Sequence, residues 1–299
     1  MFIESMSLTK PSWLKMQIPS GENYVKIKKT LQNYNLHTVC EEASCPNVSE
    51  CWSAGTATIM IMGDICSRGC RFCDVNSGRP LALDFEEPDR VADVIHEWNL
   101  RYIVLTSVCR DDLEDEGSDH FAKTIKKIKS KCPNTFVESL IPDFSSNYEF
   151  LKKIVNAKPH VISHNLETVK RLSPTVRDPK ADYDQSLQVL HSIKKFDDSI
   201  TTKSSIMLGL GETEDEIFQT GKDLRNVGVD IFTLGQYLQP SLKHLPVKEF
   251  IPPNKFNYYK HSLTKMGFLH VESGPLVRSS FRASDVISLI KSRVLTRKI

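Results

Sequence analysis

TATIMIMGDICSRGCRFCDV, residues Thr56 to Val75, passes from a β-branched apolar run into three cysteines, Cys66, Cys70 and Cys73, spaced C-x3-C-x2-C. The run reads as a buried strand, and the thiols at its carboxyl end read as metal ligands. A cubane iron–sulfur cluster normally takes four cysteine thiolates, so three leave one iron open to something other than protein. The plain alternative for a C-x2-C pair such as Cys70 and Cys73 is a zinc knuckle. No further C-x2-C or H-x3-H pair follows at zinc-ribbon distance, so a closed zinc site would need remote ligands and the spacing favours a cluster.

Outward from this strand, short β-branched runs alternate with longer helical periods, the mark of repeated βα units around a parallel sheet. Six core strands are expected, starting at Thr56, Tyr102, Phe136, His160, Lys203 and Ile231. Two helices should open on capping boxes, Ser146 with Glu149 and Thr213 with Glu216. Each strand hands over to polar residues: Cys66; Arg110, Asp111 and Asp112; Asp143; His164, Asn165 and Glu167; Gly209, Gly211 and Glu212; Gln236, Tyr237 and Gln239. In a parallel barrel these ends share one face, where such barrels build active sites. The expected fold class is therefore α/β, a partial (β/α)6 TIM-like barrel of parallel strands over residues 56–240. An N-terminal extension, 1–55, and a C-terminal extension, 241–299, would cover its open face. Trp13 and Leu14 should anchor the first extension, and a last helix is expected from about Ala283 to Leu295.

Composition narrows the function classes. Lys and Arg number 39 against 37 Asp and Glu, a net charge of +2, too balanced to mark a nucleic-acid binder by its field alone. The beginning of the chain lacks a basic-then-apolar signal pattern, and no apolar run reaches the roughly 18 residues a membrane span needs. A cytoplasmic protein is expected, with no nucleic acid and no membrane among its partners. In such a chain the eight cysteines argue for metal ligation rather than disulfides.

A second set, Cys40, Cys45 and Cys51, stands in C-x4-C-x5-C within VCEEASCPNVSECW. Two incomplete sets, only one of them C-x3-C-x2-C, suggest a division of labour. The C-x3-C-x2-C motif with Phe72 before its last cysteine resembles the signature of radical S-adenosylmethionine enzymes. Across nearly the whole chain, CEEASCPNVSECW, GDICSRGCRFCDV, TSVCRDDL, HNLET, LGLGET, GQYLQPSLKHLPV and SGPLVRSSF resemble the lipoyl synthase family within that superfamily.

The resemblance implies an enzyme that inserts two sulfur atoms at C6 and C8 of an octanoyl chain amide-linked to a lysine of a lipoyl carrier domain. Carriers of this kind are the 2-oxoacid dehydrogenase E2 subunit and the glycine cleavage H protein. It implies two 4Fe-4S clusters and S-adenosylmethionine, two per lipoyl group formed. Cys66, Cys70 and Cys73 would hold the radical-generating cluster, whose open iron the methionyl amine and carboxylate chelate. Cys40, Cys45 and Cys51 would hold a sacrificial auxiliary cluster, completed by Ser280 of the motif Arg278-Ser279-Ser280-Phe281. A ferredoxin or flavodoxin as electron donor and a cluster repair factor are the further partners implied. An unactivated C–H bond yields to no acid or base near neutral pH, so radical chemistry supplied by a cofactor suits the reaction.

By the same resemblance the backbone at Phe72 meets adenine. Asn165 and Glu167, two apart on the fourth strand and hence on one face, would hold the ribose or methionyl part of the cofactor, and Glu212 is weighed as a further contact. The plainer reading of these polar residues is that they bond loop backbone. His164 reads as a satisfied strand-end histidine. Three departures from the family pattern stand out: Cys109 in place of an acidic residue, Glu114 to Asp119 in place of a more glycine-rich turn, and Phe281 in place of tyrosine. The competing functions are a radical enzyme modifying another substrate and a two-cluster electron-transfer or structural protein. Electron carriers usually ligate each cluster with four cysteines.

Overall fold

The structure, a computed structural model, describes residues 9–15, 22–42, 45, 47–53, 56–280 and 286–296. A single 3-10 turn, Ser12–Leu14, precedes α1 (Glu22–Asn33), β1 (His37–Thr38), α2 (Val39–Glu42) and α3 (Val48–Ser53). β2 (Thr56–Ile61) leads into a small two-stranded piece, β3 (Ile65–Cys66) with β4 (Asn76–Ser77). α4 (Glu87–Glu97), β5 (Tyr102–Ser107), α5 (Ser118–Lys131), β6 (Phe136–Leu140), α6 (Tyr148–Asn156), β7 (Val161–Ser163), α7 (Ser173–Val176) and α8 (Tyr183–Phe196) follow. β8 (Thr201–Leu208), α9 (Glu214–Asn226), β9 (Ile231–Gln236), α10 (Pro253–Thr264), β10 (His270–Gly274) and α11 (Ile287–Thr296) complete the order.

All six expected strands form, and the two extensions add one each: the sheet runs β1-β2-β5-β6-β7-β8-β9-β10. Every neighbouring pair is parallel except β1 with β2. The strands alternate between two apolar surfaces. Ala57, Ile59, Ile103, Leu105, Val137 and Ile162 face outward into the helix layer, with Val91, Ile95, Phe121 and Ile125. Tyr102 and Val104 face inward, toward Phe136 and Leu140.

The interior also holds a buried polar group. Glu138 accepts from Tyr102 (2.7 Å) and Ser163 (2.6 Å) and pairs with Lys203 (3.0 Å), four strands meeting at one carboxylate. Each partner is saturated by the others, which is what makes a buried charge tolerable. α11 lies at this end. Val286 and Ile290 pack on Val161 and Ile231, and Ile287 on Tyr102 and Val104, residues at or near the amino ends of their strands. The last helix therefore plugs the end of the barrel opposite the cysteines rather than covering their face.

Local expectations divide. Thr213 and Glu216 do form a reciprocal capping box. Ser146 and Glu149 do not: residues 144–146 have positive φ, so the helix starts one residue later and Asn147 accepts from the amides of Glu149 and Phe150. Leu14 is buried, whereas Trp13 is 41% exposed, because a three-residue turn presents only one of two adjacent side chains to the body. The fourth strand is short. It ends at Ser163 and rejoins the ladder only at the bridge Glu167 to Ile206, so Asn165 and Glu167 lie beyond it, with Glu167 at φ 66°. The start expected for the last helix, Ala283, and Phe281 lie outside the described residues.

Candidate functional site

The cysteine loop after β2 is tied to four other segments. Arg68, buried, reaches Asp111 after β5 (2.7 Å) and Asp143 after β6 (2.5 Å). Burial works against all three charges, but the pairing wins: the guanidinium is held above its ordinary value and both carboxyls below theirs. Ser67 donates its amide to Cys109 O (3.1 Å). Beyond α7, Asp178 accepts from the Gly69 amide (2.8 Å) and returns its own amide to Cys70 Sγ (3.3 Å). His244 lies 3.0 Å from Cys73 O, and Leu245 donates to Arg71 O (3.2 Å).

Phe72 packs its ring against Val176, Leu210 and Tyr237. Arg110, buried, bonds Asp112 and the carbonyls of Met62 and Leu81, so it braces the loop from outside the cysteine face.

The three thiols share one electrostatic neighbourhood. Burial pushes Cys70 up to about 11 and Cys73 up to about 12. Cys66 is pulled down to about 6, first by a hydrogen bond with the Cys109 side chain and then, against its burial, by the amides of Arg68 and Cys109. Glu167 faces the same thiols, its carboxyl raised by burial and moderated by Arg177. Asn165 donates to Glu167 (3.0 Å), while its own buried Oδ1 has no partner among the described residues. Behind them His164 is fully satisfied, Nδ1 against Ile141 O and Nε2 against Ser186 Oγ at 2.9 Å each, and burial holds it down at about 4. Glu212 spends both oxygens on the amides of Gly209 and Leu210, and so shapes the glycine turn from within. Gln236 and Gln239 likewise bond carbonyls of the segment 237–249.

The second set lies on the N-terminal arm. Cys40 ends up in the main core beside β2, Cys45 follows α2, and Cys51 is in α3. Burial pushes Cys40 up to about 12, with Cys45 adding to it, and raises Cys45 too, an effect the Arg278 guanidinium opposes. That charge comes from the far end of the chain. Asn47 Nδ2 donates to Leu276 O (2.6 Å), Arg278 donates to Gln236 O (3.1 Å), and a Cβ on Gly235 would stand 1.9 Å from Val277 O. The residues after β10 thus pass directly over β9 to the cysteine arm, carrying half-buried Ser280 two residues beyond Arg278.

The donor sets fit clusters. Thiols that burial keeps protonated when alone become thiolates only when a cation replaces the proton. Among the described residues, ligand atoms all within 4.8 Å of one another occur at His37, Glu42 and Asp64, and in neither cysteine set. A single zinc with bonds of about 2.3 Å would draw its sulfurs to about 3.8 Å. The orphaned Asn165 Oδ1 fits a bound donor beside the three thiols.

Arg68, Asp178, Asn47 and Arg278 are the site residues that sequence reasoning missed. Arg68 and Asn47 carried a signal in their places inside the two cysteine motifs, and Arg278 in its place beside Ser280, but none of them was given a role.

Family models match here. The radical S-adenosylmethionine superfamily covers residues 60–224, and the N-terminal domain of lipoyl synthase covers residues 4–45. The chain is 53% identical over 298 residues to "Lipoyl synthase, mitochondrial" of Drosophila melanogaster, spanning 97% of this chain and 79% of that protein. It is 53% identical over 276 residues to "Lipoyl synthase" of Myxococcus xanthus, spanning 92% and 93%. In fold it is similar to the FeFe-hydrogenase maturase HydG of Carboxydothermus hydrogenoformans (TM-score 0.56, 13% identity, 90% of this chain and 78% of that one). It is also similar to SuiB of Streptococcus suis bound to S-adenosylmethionine (TM-score 0.56, 10% identity, 84% and 54%). With a parallel barrel presenting C-x3-C-x2-C at its strand ends and relatives this similar along almost its full length, the chain belongs to the lipoyl synthase family of sulfur-inserting radical S-adenosylmethionine enzymes.

Proposed function

We propose that this enzyme inserts its two sulfurs with a division of labour between two 4Fe-4S clusters. Cys66, Cys70 and Cys73 hold the first, and Cys40, Cys45, Cys51 and Ser280 hold the second, which is the sulfur source. The observation that carries the reading is the hydrogen bond from Asn47, between Cys45 and Cys51, to Leu276 O, which brings the segment leading to Ser280 to a set of only three thiols. The first cluster supplies one-electron cleavage of S-adenosylmethionine, two molecules per lipoyl group.

The chain's own residues do the rest. Arg68, Asp111 and Asp143 hold the cysteine loop at a set height over the strand ends. Asn165 Oδ1 and the Glu167 carboxylate take donors of the cofactor, the backbone at Phe72 borders its adenine, and Glu212 supports the glycine turn alongside. Ser280 gives the second cluster a harder, more easily protonated ligand than thiolate. Residues 1–55, 56–240 and 241–299 act respectively as cysteine arm, radical barrel and serine-bearing cover. The carriers are octanoylated lipoyl domains of the 2-oxoacid dehydrogenase E2 and glycine cleavage H types. A ferredoxin or flavodoxin would feed the electron and a repair factor would rebuild the spent cluster, in the cytoplasm. Among the described residues no helix is long and apolar enough to cross a membrane.

The test is anaerobic reconstitution with an octanoyl-lysine carrier domain, S-adenosylmethionine and a strong reductant, following carrier mass for wild type and Ser280→Ala. Wild type should gain two sulfurs and release deoxyadenosine, while Ser280→Ala should release deoxyadenosine alone. Equal sulfur insertion by the variant would remove Ser280 from the ligand set. Repeated turnover by purified wild type with no sulfur donor would end the sacrificial reading.

A further inference from the structure

The segment after β9 returns across the cysteine loop and is tied to it at two nearby carbonyls. Leu245 donates its amide to Arg71 O (3.2 Å), and His244 Nε2 lies 3.0 Å from Cys73 O. A carbonyl oxygen only accepts, so Nε2 carries the ring proton, and Nδ1 is left to take the Ser241 hydroxyl at 2.9 Å. The backbone under the ring is held as well: the His244 amide donates to Ser241 O (3.0 Å), and its carbonyl accepts from Gln239 Nε2 (3.0 Å). Tyr237 fixes the next residue, its hydroxyl donating to Leu245 O (2.8 Å), and Lys248 donates to Gly209 O (2.8 Å) in the glycine turn.

Between the two ties stands Phe72, whose ring packs with Val176, Leu210 and Tyr237, Leu245 joining the same cluster. The peptide planes on both sides of it are fixed, because Arg71 O is taken by Leu245 and the Cys73 amide donates to Cys70 O (3.1 Å). In a trans peptide the N–H and C=O point opposite ways, so the Phe72 amide is turned from Leu245 and its carbonyl from Cys70. Among the described residues neither has a partner. A free N–H and C=O on one residue match adenine, whose edge offers an amino donor and a ring-nitrogen acceptor.

We propose that His244 is a positioning residue for the nucleoside of the cofactor: by holding Cys73 O it keeps residues 244–245 on the loop and the Phe72 backbone set to read adenine. The inference rests on the reading that the backbone at Phe72 borders adenine. Such preorganisation adds affinity by removing freedom that the loop would otherwise lose on binding. The role needs no contact between His244 and the cofactor, and the proton stays on Nε2.

The experiment is equilibrium binding to the anaerobic holoenzyme without reductant, so that nothing is cleaved. Two probes are compared, S-adenosylmethionine and its analogue with hydrogen in place of the adenine amino group. Wild type should bind the first about three- to tenfold more tightly, the worth of one well-placed hydrogen bond. His244→Ala should lose most of that preference by binding S-adenosylmethionine more weakly and the analogue as wild type does. His244→Gln, whose amide nitrogen reaches the place of Nε2, should keep it. His244→Asn, whose amide reaches only the place of Nδ1, should behave as His244→Ala. Iron per chain should match wild type in all three, since no ligand is removed.

An unchanged preference in His244→Ala overturns the role of His244 and leaves the reading of Phe72 standing. So does equal weakening of both probes, which marks a general loosening of the site, and so does loss of iron or of the preference in His244→Gln, which retains the donor. The wild-type comparison needs no variant to fold: absence of any preference there overturns the reading of Phe72 and the inference together.

Discussion

The two three-cysteine sets use the same ligand and are built in opposite ways. Cys66, Cys70 and Cys73 sit on a short loop braced by the buried Arg68 pairs and by bonds from Asp178, His244 and Leu245, every brace drawn from the barrel face itself. Cys40 and Cys51 sit on two short helices outside the barrel with Cys45 between them, and their tie to the rest of the site runs through Asn47 to Leu276, 229 residues away. One set is braced by neighbours on its own face. The other is completed only when the last part of the chain has folded over it. On the proposed division of labour, a permanent radical source needs the first construction, and a cluster that must open to release sulfur is better served by the second.

The largest effects should come from the ligands. Cys66→Ala should lose about four irons and all S-adenosylmethionine cleavage, whereas Cys45→Ala should lose as much iron and keep the cleavage, read as deoxyadenosine released without sulfur gained. Equal loss of cleavage in both would erase the contrast.

Arg68→Met comes next. It leaves Asp143 buried and without its countercharge, at a cost of about 3–5 kcal/mol, checked by urea unfolding of the metal-free chain. Radical-cluster loading should fall while the second cluster still loads.

The pH dependence should be set by a different group. His164 is held neutral by burial, with its value lowered from 6.5 to about 4. The unfolded chain therefore binds the extra proton over that interval, and stability falls as pH drops from about 6.5 to about 4, by on the order of 2–3 kcal/mol. His160, also lowered to about 4 by burial, adds in the same direction. The Arg68 pairs, whose carboxyls are depressed, hold until the pH is below the ordinary aspartate value of 3.8. Urea midpoints between pH 7 and pH 4, with His164→Gln flattening part of the slope, would check the sign.

Gly235→Ala tests the other region. Its Cβ would meet Val277 O at 1.9 Å, displacing the segment that carries Arg278 and Ser280 for about 1–3 kcal/mol. Sulfur insertion should fall steeply with cleavage retained. Thr213→Ala, which removes half of a capping box whose bonds stay within the first turn of α9, should cost about 1 kcal/mol and change the two cluster loadings equally, giving the scale for a fold-only effect.

What could be read along the chain depended on the range of the interaction involved. Six strands announce themselves because burial on both faces demands continuous apolar residues. β10 was hidden because HVESG mixes Glu272 and Ser273 with one apolar residue, and only its neighbour β9 makes it a strand. The box at Thr213 was legible, being a four-residue interaction. The start at Ser146 was misplaced because backbone φ at residues 144–146 is set by the surrounding packing. Glu212 was legible as a polar strand-end residue, but its commitment to the amides of Gly209 and Leu210 needed the turn to be closed.

By itself the sequence determined the two cysteine sets, the parallel barrel, the face on which the polar residues gather, and the family. Spacings and periodicities are local quantities, and a thiol's chemistry travels with its residue type. Tertiary structure alone decided that Arg68 is saturated by two distant aspartates, that the Cys109 amide donates to Cys66 Sγ, that the last helix fills the far end of the barrel, and that Leu276 meets Asn47. Each of these is a contact between segments whose separation along the chain carries no signal. Their energies come from burial and charge pairing that exist only once the sheet has assembled.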